Sequence, residues 1–232
     1  MIGIPALDAL ATLGKPTLED YVEAASAYVL GARALDAGAR KAGQIRLSDA
    51  LGRALLAELR LRLPTMGPGA MVGERDVAGA LRTAKVDVSE MHALDGLRLA
   101  VELKPVNLAV GRALWNRFGD IRMTAVNVHL KFPFAVVGGV LTIPTFEEDI
   151  RPDGQVARKS TEHLIARVID RLDRAGGRRT EGDPAYLLEG VGVVVYDPES
   201  AVLSDSLPVS SSSLRWEGFV ASLVGAYTAR FG

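Results

Sequence analysis

Cysteine is absent from this 232-residue chain. Disulfides, thiolate zinc sites and cysteine nucleophiles are excluded together. No sign of charge dominates: Lys+Arg total 27 and Asp+Glu total 28, a formal net charge of -1. Overall charge therefore announces no nucleic-acid partner, and any basic surface has to be local. Long apolar runs are also missing. The longest uncharged stretch, Phe132–Phe146, is shorter than a membrane span and carries Pro133, Pro144, Gly138 and Gly139, so it reads as a buried strand. The first residues, MIGIPALDALATLGK, place Asp8 inside their apolar part and have no basic segment ahead of it. They do not read as a signal peptide, and a soluble cytoplasmic protein without membrane contact is expected. With 48% hydrophobic and 24% charged residues, the composition is that of an ordinary globular chain.

The first third reads as helical. Residues 17–42 begin with Thr17 as N-cap, and residues 48–62 begin with Ser48 and stop before Pro64. Leu51, Leu55 and Leu59 make an apolar stripe in the second of these. Residues 64–75, rich in Pro and Gly, read as a loop, and 76–82 as a short helix. Residues 84–92 and 97–104 alternate around Asp95-Gly96, which signals a hairpin. A helix over 108–118 is followed by strands over 125–131 and 134–143. A turn at 151–155 leads to Ser160, which caps a helix over 161–175 ended by Gly176. A strand over 186–196, a serine-rich loop over 204–213 and a helix over 214–230 close the chain. The expected fold is α/β, a mixed central sheet flanked by helices, in one domain over 1–232. Residues 1–75 would be mainly helical and 76–232 would form the α/β core. No repeat and no linker interrupts it.

Chemistry concentrates on the hairpin. Alternation puts Leu97, Leu99, Val101 and Leu103 on one face and Arg98, Ala100, Glu102 and Lys104 on the other. Folding about the turn with a two- or four-residue loop brings Asp87 onto the face of Glu102 and Lys104, with Val86 and Val88 on the leucine face. Two carboxylates held together repel unless a cation sits between them. Oxygen ligands of this kind suit Mg²⁺, and a neighbouring lysine can hold a phosphate oxygen or orient a water.

Asp87 followed on the next strand by Glu102-Leu103-Lys104 resembles the PD-(D/E)XK nuclease superfamily, most of all its type II restriction endonucleases. The likeness is close over the hairpin and loose over 48–143. Val86 stands where the family name has its proline. The resemblance implies a restriction-endonuclease-like core and a Mg²⁺-dependent endonuclease acting on double-stranded DNA as a homodimer. It implies that Asp87, Glu102 and the backbone carbonyl of Leu103 bind metal and that Lys104 positions or activates water. Many members carry a further glutamate on the helix before the hairpin, and Glu58 matches that place. Asp95 is the alternative to Asp87, although its position before Gly96 already explains it as a turn residue. Glu102-Leu103-Lys104 is the only acid-x-Lys triplet in the chain. A repair or structure-specific nuclease of the same fold, and a non-catalytic DNA-binding protein on that scaffold, are the competing readings.

Other residues carry weaker signals. Arg158, Arg167, Arg171, Arg174, Arg178 and Arg179 gather basic charge around one helix and the loop after it, as phosphate contacts or as a solvated face. Asn107, Arg112, Asn116 and Arg117 read bases in one interpretation and decorate a surface helix in the other. His129 is placed on a strand with Lys131, and a lone histidine there is more often structural. His92 and His163 add nothing. Gly138-Gly139 in a buried strand points to a bulge or a close approach of backbone, without the spacing of a dinucleotide or P-loop site. No Gly-x-Ser-x-Gly elbow is present, which argues against a serine hydrolase.

Overall fold

Two helices at the start of the chain, α1 (Pro5–Thr12) and α2 (Leu18–Gly31), lead through a short 3-10 turn at Ala32–Ala34 into the long helix α3 (Ala37–Arg62). Three strands follow, β1 (Ala70–Ala78), β2 (Thr83–His92) and β3 (Gly96–Pro105), then α4 (Val110–His129) and β4 (Val136–Pro144). A separate ribbon of β5 (Phe146–Ile150) and β6 (Val156–Ser160) precedes α5 (Glu162–Asp173), β7 (Gly190–Asp197), β8 (Val202–Leu203) and α6 (Trp216–Phe231). The structure is a computed structural model and describes residues 4–150 and 155–232, so most of the turn expected at 151–155 lies outside the described residues.

The expected α/β architecture is the observed one. One six-stranded sheet runs in the order β1-β2-β3-β4-β7-β8. The strands β1, β2 and β3 are antiparallel, β3, β4 and β7 are parallel, and β8 returns antiparallel on β7. One apolar cluster packs α1, α2, α3 and α6 on one face through Leu51, Leu55, Leu103, Tyr196 and Phe219. A second packs α4 and α5 on the other through Leu114, Ile121, Val137, Ile165 and Val193. Strand β4 is buried at every position because both layers close over it. No helix among the described residues is long and apolar enough to cross a membrane.

Expectations at three places are corrected. Thr17 does cap α2 with a reciprocal Thr17–Asp20 box, but the helix stops at Gly31 and the next begins at Asp36, whose side chain accepts from the Ala39 amide. Ser48 is therefore inside α3 and caps nothing. The expected loop at 64–75 and short helix at 76–82 give way to β1, an edge strand in which few residues are buried; edge strands carry little alternation to read. The expected strand at 125–131 is the second half of α4. Leu114, Phe118, Ile121, Ala125 and Val128 are buried at steps of four and three, a helical stripe that outweighs the β-branched residues between them. His129 accordingly ends a helix.

The glycine pair marks a close approach of helix side chains, with no bulge and no second backbone there. A Cβ on Gly138 would lie 2.9 Å from Leu223 of α6, and one on Gly139 would lie 2.3 Å from Ile121 of α4. Gly139→Ala is expected to destabilise the fold by about 1–3 kcal/mol through overpacking, read as a lower urea midpoint; an unchanged midpoint would show that α4 does not close on the sheet there.

Candidate functional site

The hairpin places the site through two irregularities. At its turn, His92 pairs with Gly96 across three residues, and Gly96 has a φ of +73°, a left-handed conformation that glycine adopts freely. A bulge then leaves Arg98 unpaired between Leu97 and Leu99. The bulge reverses the alternation. Leu99, Val101 and Leu103 pack with α3 and α6 as expected, but Leu97 packs in the other layer. Arg98 turns instead toward α6, over the Phe231 ring at 5.1 Å.

Beyond the bulge, Val88 pairs with Val101, a register that sets Asp87 opposite Glu102. The ladder ends there. The next regular rung would join Val86 to Leu103, but the Leu103 amide donates to the Asp87 carboxylate at 2.7 Å. A side chain thus replaces a backbone partner, and the strands separate. Val86 is turned into the α4 layer, against the expectation that it would share the face of Val88. In a strand the amide and carbonyl of one residue leave by the same edge. The Leu103 carbonyl therefore leaves β3 on the Asp87 side, the orientation that its expected role requires.

Glu102 and Lys104, two residues apart on β3, form an ion pair. Glu102 is only 5% exposed, and its Oε2 is buried without a hydrogen-bond partner among the described residues. Burial pushes its carboxyl up to about 7; Lys104 opposes the rise, and Asp87 and Asp120 add to it. Burial also raises Asp87 above the usual carboxylate range, opposed by the Leu103 amide and Lys104 and reinforced by Glu74. Asp87 makes Glu102 harder to ionise, a cost that a cation beside the two carboxylates would remove.

Asp87, Leu103 and Lys104 line a groove of about 440 Å³. Its other walls come from Gln44, Ser48 and Asp49 of α3, Gly73 and Glu74 of β1 and Arg117 of α4. Asp49 pairs with Arg53 at 3.1 Å, Glu74 with Lys85 at 3.2 Å and Arg117 with Asp120 at 3.2 Å. No three Asp, Glu or His side chains converge into a complete metal set among the described residues. Asp87 does lie close enough to Glu102 to raise its carboxyl, and Mg²⁺ is commonly held by one or two carboxylates with water or substrate completing the shell. The donors are all hard oxygens, and one of them is orphaned, so the residues present fit a magnesium ion.

Glu58 lies elsewhere. It accepts from the Trp216 indole at 2.6 Å and pairs with Arg62 at 3.2 Å, in a hollow walled by Lys15, Arg53 and Glu217. The acid that α3 presents to the Asp87 groove is Asp49, nine residues earlier and two and a half turns away. Sequence reasoning missed Asp49 because it treated Ser48 as a helix start rather than an interior position. Asp95 stays at the turn, bonded to Arg98 Nε at 2.7 Å and beside His92 at 3.0 Å. Six strand residues separate it from Glu102, roughly 20 Å.

Of the weaker candidates, Asn107 is fully buried and accepts from the Tyr196 hydroxyl at 2.8 Å, so it reads no base. Arg178 is buried against Glu189 at 3.2 Å, and His129 reaches the same carboxylate at 3.1 Å. Arg158 pairs with Glu199 at 2.7 Å. One further element that sequence did not suggest is Glu147, whose carboxylate accepts from the Val110 amide at 2.6 Å and caps α4 from the ribbon. No family model, curated protein or solved structure matches the chain.

Proposed function

We propose that this chain is a Mg²⁺-dependent DNA endonuclease of the restriction type, acting in the cytoplasm on double-stranded DNA as a homodimer. The observation that carries the reading is Asp87 bonded to the Leu103 amide where β2 and β3 part, beside a buried Glu102 that pairs with Lys104 and leaves one oxygen unsatisfied. Asp87, Glu102 and the Leu103 carbonyl are the groups that would hold the metal. Bound there, Mg²⁺ would supply charge neutralisation and Lewis-acid polarisation at a phosphodiester.

The chain's own residues supply the rest. Lys104 is a compact cation with three donors, suited to orient an attacking water or to stabilise charge on a non-bridging phosphoryl oxygen. The Leu103 amide fixes Asp87, so the carboxylate needs no reorganisation when substrate arrives. Arg117, on the groove wall, is placed for a phosphate next to the scissile one. In-line attack by water would leave a 5′-phosphate and a 3′-hydroxyl.

Unmethylated phage DNA incubated with Mg²⁺ or with EDTA and run on a gel tests this. Discrete metal-dependent bands are expected. A metal-dependent smear, or cutting confined to branched or mismatched DNA, would favour a processing or repair nuclease. Lys104→Ala should lower the rate about 100-fold or more; full activity in that variant would sink the assignment. DNA binding with no metal-dependent cutting on any substrate would favour the non-catalytic reading.

A further inference from the structure

Three arginines on the outer face of the α4/α5 layer rest on aromatic rings. Arg171 lies 4.2 Å from the centre of the Trp115 ring and Arg167 lies 5.2 Å from it. Arg122 lies 5.9 Å from Phe118 and 5.4 Å from Tyr186. Arg122, Arg171 and Arg174 surround an open hollow of about 410 Å³ floored by Phe118 and Ala175. All four arginines are exposed. Arg174 pairs with Asp170 at 3.4 Å. Arg122, Arg167 and Arg171 form no ion pair with any described residue. Asp173, the other acid at this end of α5, faces a different hollow beside Arg178 and Glu189.

A carboxylate partner neutralises an arginine, whereas a ring holds it in place and leaves its charge whole. The guanidinium is then pre-oriented, so less side-chain freedom is lost when an anion arrives. Its planar fork matches a phosphate bidentately. With a net charge of -1 the chain needs a local basic surface to hold a polyanion, and this is one. It shares α4 with Arg117, which lines the Asp87 groove.

We propose that the Arg122, Arg167 and Arg171 face binds the phosphate backbone of DNA alongside the groove. The choice of DNA as the polyanion rests on the nuclease reading; the surface itself does not. Anisotropy of a fluorescein-labelled 24-base-pair duplex, titrated with protein in EDTA at several NaCl concentrations, tests it. The triple variant Arg122→Ala/Arg167→Ala/Arg171→Ala should bind about ten-fold or more weakly at about 0.1 M salt. Its salt slope should flatten by about two to three, since each phosphate contact contributes about 0.9. Arg46→Ala, which removes a distant arginine paired with Asp8, should bind as the parent does. Circular dichroism checks folding, and the milder Arg167→Gln/Arg171→Gln pair replaces the triple variant if that variant melts early. Equal affinity and slope in parent and variant would overturn the proposal, as would no binding by the parent. Displacement by poly-glutamate as readily as by unlabelled DNA would overturn it in favour of an acidic protein. Salt-sensitive binding lost in the variant, with no cleavage by the parent, would keep this surface and remove the nuclease. Cleavage with unchanged binding in the variant would do the reverse.

Discussion

Glu102→Gln is expected to lower metal-dependent cleavage about 1,000-fold and, at pH 8, to make the folded chain more stable. The two effects have one cause. Burial raises the Glu102 carboxyl to about 7, so the fold favours the protonated form while the proposed chemistry needs the charged one. The sign follows from linkage. Below the ordinary carboxylate pKa both folded and unfolded chains are protonated, and the contribution of this group to stability is at its fullest. As pH rises toward 7 the unfolded chain releases its proton first, and that contribution is lost. Glutamine keeps the shape and never ionises. The full linkage corresponds to about 3 kcal/mol at one pKa unit per 1.4 kcal/mol. Lys104 loses its partner in the variant, so a net gain of about 1–2 kcal/mol at pH 8 is expected, fading toward pH 4. Urea unfolding at both pH values, beside a cleavage assay, measures it. A variant that is less stable at pH 8 and still cuts would remove Glu102 from the site.

The second large effect is structural. Glu189 has a fully buried side chain that accepts from the Val137 amide at 2.8 Å and meets His129, Arg178 and Arg230. These partners come from the start of β4, the end of α4, the loop after α5 and the end of α6. Burial alone would raise its carboxyl, but the His129 hydrogen bond and charge, the Val137 amide and Arg230 together hold it below the ordinary value. Its contribution to stability is therefore present above the ordinary carboxylate pKa and is lost as pH falls through the lowered one. Glu189→Ala would leave Arg178, whose side chain is 1% exposed, with backbone carbonyls but no carboxylate to balance its charge. Breaking a buried pair from one side costs about 3–5 kcal/mol. Denaturant unfolding at pH 7 reads the loss, and a change under about 1 kcal/mol would show that water or rearrangement satisfies Arg178 instead.

Much of this arrangement was legible because short-range rules act locally. Asp95-Gly96 gave away the hairpin, and the glycine pair in the apolar run gave away the crowded centre of the sheet. Alternation also set Asp87 level with Glu102, and the register beyond the bulge keeps that level. What stayed hidden depended on partners distant in sequence. The bulge at Arg98 is satisfied by α6, more than a hundred residues on. The second half of α4 contains Thr124, Val126 and Val128, which locally favour a strand, and burial of α4 against β4 and β2 decides otherwise. Glu58 sits at a position that many helices before such hairpins use, but the uninterrupted run of α3 rotates it toward Trp216 and brings Asp49 round in its place.

The rung that Asp87 forms with the Leu103 amide ties the chemistry of the groove to the mechanics of the sheet. A carboxylate standing in for a backbone carbonyl is adjustable in a way no carbonyl is, because its charge changes with its surroundings. A change in the charge on Asp87 bears directly on the hydrogen bond from the Leu103 amide, the residue between Glu102 and Lys104. The parting of the two strands is thus set by an ionisable group, whereas toward the turn backbone pairs resume on either side of the bulge at Arg98.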